Sequence, residues 1–272
     1  MTKNYAFVSV LSTDDYLPGL LVLNKSLSDV ESKYPFHVLL TTNIAKETIS
    51  ILDKNNIFYS VVSKKMENPT NVSKNHRWFS TYYKLLVFDQ VQYEKIVYLD
   101  ADIVVLKNID DLFLQPHMAA TNAGGLLPRK ALWAHINTGV FVLEPSRSLF
   151  RDMISKVGKI EYLESGGTED RPKHGSDQDF LNAYYPDWPL QKELHLDHKY
   201  NMFHYYLDEY NKLFGYTVQD GTKSVSIIHY ASYMKPWNMN RKELEELYSD
   251  KARLLEAEAV KLWLDVYKKI IR

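Results

Sequence analysis

Three short apolar runs alternate with helical stretches in the first quarter of the chain, and this alternation restricts the fold most. Tyr5 to Leu11 reads as a buried strand. Ser12-Thr13-Asp14-Asp15 then supplies good helix N-caps, and Tyr16 to Leu27 carries helical apolar spacing. Phe36 to Thr41 is a second strand, Ala45 to Asp53 a helix and Ile57 to Val62 a third strand. A β-α-β-α-β order predicts an α/β fold, with a parallel sheet covered by helices. Such sheets bind ligands beyond the carboxyl ends of their strands, where Ser12, Thr13 and Asp100 lie. No G-x-G-x-x-G or Walker loop is present, so the usual dinucleotide and ATP-loop fingerprints are missing.

Further along, Met66 to His76 reads as a polar loop, Arg77 to Phe88 as a helix with Lys84 inside an apolar stretch, and Glu164 to His174 as a charged loop. Gly139 to Leu143 and Val225 to Tyr230 read as later strands. Lys251 to Ile271 is an amphipathic helix. Its polar face is not dominated by basic residues, which favours docking on the domain over a membrane surface. The 272 residues suffice for one large α/β domain or two small ones. A net charge of −1 argues against nucleic acid or anionic membrane as the main partner. There is no cysteine, which excludes disulfides and thiolate metal sites and fits a reducing, cytoplasmic location. The N-terminal apolar run is too short for a signal peptide, and no run is read as a transmembrane segment.

Chemistry concentrates in a few places. Lys95-Ile-Val-Tyr-Leu-Asp100-Ala-Asp102-Ile-Val-Val-Leu106 sets two carboxylates one residue apart in an apolar run. On an extended chain they face one point, where they repel unless a cation lies between them. Hard divalent cations suit such ligands and bridge to substrate phosphates. The alternative is an acidic turn after a core strand. Asn137-Thr-Gly-Val-Phe-Val-Leu-Glu-Pro145 places an amide and a glycine before a buried strand, and Gly175-Ser-Asp177-Gln178-Asp179 opens a helix. Each alone reads as a plain turn or N-cap. His229 ends a β-branched run, and Lys235-Pro-Trp237 follows at the same end. An Asp₂His set suits Mn²⁺ at least as well as Mg²⁺, and a lysine supplies a point charge for a diphosphate.

In order and spacing, Tyr-Leu-Asp-Ala-Asp, Asn-Thr-Gly-Val-Phe-Val, Asp-Gln-Asp-Phe-Leu-Asn and His-Tyr-x₄-Lys-Pro-Trp resemble glycosyltransferase family 8 over roughly Tyr5 to Trp237. The resemblance implies a GT-A fold and retaining transfer from a UDP-sugar to a carbohydrate, polyol or other hydroxyl acceptor, and it allows a homodimer. It implies one domain over 1–272, with a nucleotide-binding half at 1–110, a donor-sugar and acceptor half at 111–240 and a helical segment at 241–272. Asp100, Asp102 and His229 would bind Mn²⁺ (or Mg²⁺), and Lys235 would hold the diphosphate. Val10, Leu11, Ser12 and Thr13 would cradle uridine, and Tyr16 would stack on uracil. Arg77, Lys84, Ala101, Asn137, Thr138 and Ser232 would complete the donor site. Asp177, Gln178 and Lys84 would act at the reacting sugar.

Three departures stand out. Asn122 lies near where glycogenin-like members carry an aspartate, Ser232 replaces a glycine, and His174 replaces an acidic residue. Two other functions fit parts of the sequence. Asp100-Ala-Asp102-Ile-Val104 also fits a phosphohydrolase string, and a non-catalytic UDP-sugar binder would need the same motifs. Tyr205, Tyr206 and Tyr210 lie where a self-glycosylated tyrosine would be sought.

Overall fold

The computed structural model describes residues 4–66, 68–69, 79–130, 133–160, 175–219, 221 and 223–271. Its first half follows the expected alternation: β1 (Tyr5–Leu11), α1 (Leu17–Asp29), β2 (Phe36–Thr41), α2 (Lys46–Lys54) and β3 (Phe58–Val62). Then come β4 (Lys95–Leu99), β5 (Ile103–Val105), β6 (Ala120–Asn122), β7 (Ile136–Leu143), α3 (Arg147–Lys156) and α4 (Asp177–Tyr184). The chain closes with β8 (Met202–Phe203), α5 (Leu207–Phe214), β9 (Ile227–His229), α6 (Arg241–Ser249) and α7 (Leu254–Ile270).

A six-stranded sheet has the order β3-β2-β1-β4-β7-β6. β3, β2, β1 and β4 run parallel, as expected, whereas β7 lies antiparallel to both β4 and β6. Side chains alternate across it. Val8, Ile96, Tyr98 and Phe141 pack under the Tyr82–Phe88 segment, α3 and α4, while Phe7, Val97, Leu99 and Val140 pack against α1 and Phe113. β5, β9 and β8 form a second, three-stranded sheet.

Three expectations change. The extended backbone expected through Asp100 and Asp102 is a turn: β4 ends at Leu99, β5 begins at Ile103, and the two strands join different sheets. The strand expected at Gly139 begins at Ile136, so Asn137 and Gly139, both poor strand formers, lie inside it. The helix expected over Arg77 to Phe88 is a 3₁₀ segment, Thr81–Asp89, with Tyr82 and Lys84 to Phe88 buried. Residues buried on all sides lose the one-sided period that marks an amphipathic helix.

The C-terminal helix docks on the domain. Asp208 accepts the N–H groups of Leu255 (2.9 Å) and Glu256 (3.0 Å), satisfying donors in its first turn. Ala257, Ala259, Val260 and Trp263 are buried. Among the described residues, no helix is long and apolar enough to cross a membrane.

Candidate active site

The carboxyl ends of β1 and β4, the start of β7, the start of α4 and the segment after β9 enclose a cavity of about 660 Å³. That size suits a ligand of nucleotide-sugar dimensions.

Asp100 and Asp102 converge on His229. The Nε2 of His229 is 3.1 Å from Asp102 Oδ1 and 3.8 Å from Asp100 Oδ2. One ligand atom from each of the three lies within 4.8 Å of the others. The convergence comes from the break between β4 and β5, which turns both carboxylates toward the end of β9, where Ile103 pairs with His229. Tyr98, two residues before Asp100, donates its hydroxyl to Asp100 Oδ1 at 2.9 Å. Two carboxylate oxygens and one imidazole nitrogen with an open side toward the cavity form a donor set that fits a divalent cation.

Two buried lysines hold the carboxylates. Lys235 Nζ donates to Asp102 Oδ2 at 2.5 Å and to the Tyr230 carbonyl at 2.7 Å. Burial alone would raise the Asp102 carboxyl, but Lys235 and His229 outweigh it and hold it well below the usual carboxylate range. Asp100 behaves oppositely: burial, reinforced by the charge of Asp102, pushes it up despite the attraction of Lys84. Lys84 Nζ sits 3.1 Å from Asp100 Oδ1 and 2.9 Å from Asp177 Oδ2, and it donates to the Thr138 carbonyl at 3.0 Å. Burial would lower the Lys84 ammonium, yet Asp100 and Asp177 more than compensate and raise it. Lys84 thereby links the candidate metal ligands to the far wall.

That wall is the start of α4, fixed by a capping box in which Asp179 Oδ2 accepts the Ser176 N–H at 2.8 Å. Asp177 Oδ2 accepts the Thr138 hydroxyl at 2.9 Å, and Gln178 Oε1 accepts the Thr138 N–H at 3.2 Å. Asn182 binds both the N–H (2.7 Å) and the carbonyl (3.1 Å) of Ile136, locking α4 to β7.

Val10, Ser12, Thr13, Tyr16 and Ala101 line the same cavity, as do Asn137, Thr138 and Ser232. The Ser12 carbonyl is held by Asn43 Nδ2 at 2.9 Å. The ring of Tyr16 meets Trp237 edge-on at 5.8 Å, and Trp237 meets the buried Trp263 of α7 at 5.3 Å. Leu11 is a correction to the expected site: its side chain is fully buried in the core with Leu20 and Val38 and is not on the cavity wall. Arg77, His174 and the Glu164 to His174 loop lie outside the described residues, as does most of the Met66 to His76 loop. Of the three tyrosines, Tyr205 lines the cavity, whereas Tyr210 is buried and accepts the Leu126 N–H at 2.8 Å.

Several residues escaped the sequence reading. Tyr98 shares the i, i+2 spacing with Asp100 and so was legible in principle. A Cβ on Gly139 would lie 2.5 Å from His229 Cε1, so this glycine makes room for the imidazole. A Cβ on Gly19 would lie 2.4 Å from the Ala101 carbonyl, so α1 approaches the Asp100–Asp102 turn closely. Lys130, Trp133 and Phe203 also line the cavity, and no local pattern marks them.

Residues 7–124 and 128–241 match the sequence profile of Glycosyl transferase family 8. Inositol phosphorylceramide glucuronosyltransferase 1 of Arabidopsis thaliana is 34% identical over 188 residues, covering 69% of this chain and 31% of that protein. Glycogenin-1 of Oryctolagus cuniculus is 28% identical over 252 residues, covering 86% of this chain and 65% of that one. The chain thus spans less than two thirds of the length of either relative. The galactosyltransferase LgtC, solved with donor and acceptor sugar analogs, superposes with a TM-score of 0.61 at 15% identity over 97% of this chain and 95% of that one. That likeness concerns the fold, which is GT-A. With the profile spanning nearly all of the chain that builds the cavity, the chain belongs to glycosyltransferase family 8.

Proposed function

We propose that this protein moves a hexosyl unit from a UDP-sugar, UDP-glucose or UDP-galactose foremost, to a hydroxyl acceptor with retention of configuration. The observation that carries this reading is the meeting of Asp100, Asp102, His229 and Lys235 at one end of a cavity whose far wall is Asp177 and Gln178. Val10, Ser12 and Thr13 would hold the uridine, with Tyr16 against the base. Mn²⁺ is the favoured ion, and Mg²⁺ the alternative, for Asp100, Asp102 and His229. When bound, it would neutralise charge on the departing diphosphate.

The chain's own residues would do the rest. Lys235 stabilises the charge that grows on the β-phosphate as the bond from the sugar carbon to UDP breaks. Asp177 binds sugar hydroxyls, and Lys84 keeps Asp177 and Asp100 in register. Gln178, a neutral amide, is a poor nucleophile and instead steadies the oxocarbenium-like sugar. The acceptor oxygen attacks from the face that UDP leaves, and its proton passes to the departing phosphate oxygen. A covalent intermediate on Asp177 is the less favoured route. The division into a nucleotide-binding half and a sugar half around residue 110, and a cytoplasmic location for a chain without cysteine, belong to the same proposal. Membership of a glycosyltransferase family argues against the phosphohydrolase alternative.

The test is UDP release from UDP-glucose, UDP-galactose, UDP-N-acetylglucosamine, UDP-xylose and UDP-glucuronate with Mn²⁺. UDP-glucuronate is included because two relatives are named glucuronosyltransferases. Turnover of at least one donor is expected. UDP binding with no turnover of any donor would make the protein a binder, and phosphatase activity without donor cleavage would restore the phosphohydrolase.

A further inference from the structure

Asn201 joins the two sheets at His229. It follows the 3₁₀ turn His198–Tyr200 and precedes β8, whose Phe203 pairs with His229 of β9. Its side chain is buried and reaches Thr121 of β6 and Asn137 of β7 on one side and His229 on the other.

The polarity of this network can be followed from a backbone N–H, whose direction is unambiguous. Gly139 N–H donates to Asn137 Oδ1 at 2.9 Å, so that atom is an oxygen. It can only accept, so the Asn201 atom 2.8 Å away is the amide nitrogen Nδ2, which also lies 3.3 Å from Thr121 Oγ1. The other Asn201 atom is then the oxygen, and it sits 2.8 Å from His229 Nδ1. Nδ1 must therefore carry a proton, which leaves Nε2 to face Asp100 and Asp102.

We propose that Asn201 is a positioning residue that sets the tautomer and ring orientation of His229 for metal binding through Nε2. This inference rests on the metal reading above. A partner that holds the second nitrogen of a ligating histidine commonly sets metal affinity by about 10–100-fold.

The experiment titrates Mn²⁺ by the free-ion electron paramagnetic resonance signal, at fixed UDP with a UDP-only blank, alongside thermal melts. Asn201→Leu keeps the branched shape but removes the acceptor for Nδ1–H, and its Mn²⁺ affinity is expected to fall about 10–100-fold. Asn201→Asp keeps that acceptor but turns its second oxygen on Asn137 Oδ1, so it should melt lower than wild type yet bind Mn²⁺ at least about threefold more tightly than Asn201→Leu. A residue that merely fills space would give the reverse order, since a buried charge is costlier than a leucine. Wild-type affinity in Asn201→Leu, or equal loss in both variants, would overturn the assignment. If the leucine variant does not fold, the histidine ¹⁵N resonances of the metal-free wild type decide it: a His229 ring protonated at Nδ1 supports the assignment, and one protonated at Nε2 alone removes it. Failure of the wild type itself to bind Mn²⁺ would remove the metal site and not just this residue's part in it.

Discussion

Gly139→Ala adds one methyl group and removes no functional atom, so it isolates geometry from chemistry. The backbone at 139 is not left-handed, and alanine meets no strain there. Its Cβ would lie 2.5 Å from His229 Cε1 and 2.7 Å from Nδ1, where ordinary contact starts at 3.4 Å. The imidazole or the strand must therefore give by about 0.9 Å, the difference between 3.4 and 2.5 Å. The ring cannot retreat without disturbing its 2.8 Å bond to Asn201. Overpacking a tight site costs about 1–3 kcal/mol. Metal ligation is less forgiving, because ligand distances hold to within about 0.2 Å. Urea unfolding of the metal-free protein should show a loss of about 1–3 kcal/mol. Mn²⁺ affinity, measured by the same free-ion signal, should fall by about tenfold or more. A variant that is destabilised yet binds Mn²⁺ as tightly as the wild type would refute the claim that Gly139 makes room for a metal ligand.

Lys235→Met leaves Asp102 buried without its ammonium partner, and breaking such a pair should cost the metal-free protein about 3–5 kcal/mol by denaturant unfolding. His37 is buried between Ser60 and Tyr93, and burial lowers its pKa from 6.5 to about 4. The unfolded chain therefore binds the extra proton between those values, so stability is full above pH 6.5 and is lost as pH falls toward 4. The loss from this one group is about 3 kcal/mol, and His37→Asn should flatten the urea midpoint over that range. Gln178→Ala should slow sugar transfer without abolishing it, with donor binding retained; complete loss with normal donor binding would count against front-face attack.

The parallel half of the fold was legible because each of its strands is a local event: β1, β2 and β3 are contiguous apolar runs bounded by cap and turn residues. The antiparallel β7 was only half visible, since Asn137 and Gly139 sit in it for the sake of the site and against strand propensity. The candidate site shows the same division. Asp100, Asp102, His229 and Lys235 stand out because charged groups interrupt apolar runs, and the structure brings them together. Their convergence was expected from strand alternation but arises from the turn that sends β4 and β5 into different sheets. Asn201 has no local signal at all. Its role exists only where two sheets meet, with Thr121, Asn137 and His229 arriving from distant parts of the chain. Leu11, the last residue of β1, was expected at the crevice from its place at the strand end, but the period of two points its side chain into the core.

Asp100, Asp102 and His229 are proposed as a metal clamp for a diphosphate. Calorimetric titration of UDP into the wild-type protein with Mn²⁺ and again with EDTA tests it most directly. Removing the metal should weaken UDP binding by at least an order of magnitude, and Asp102→Asn in Mn²⁺ should do the same. Equal UDP affinity in Mn²⁺ and EDTA would contradict it.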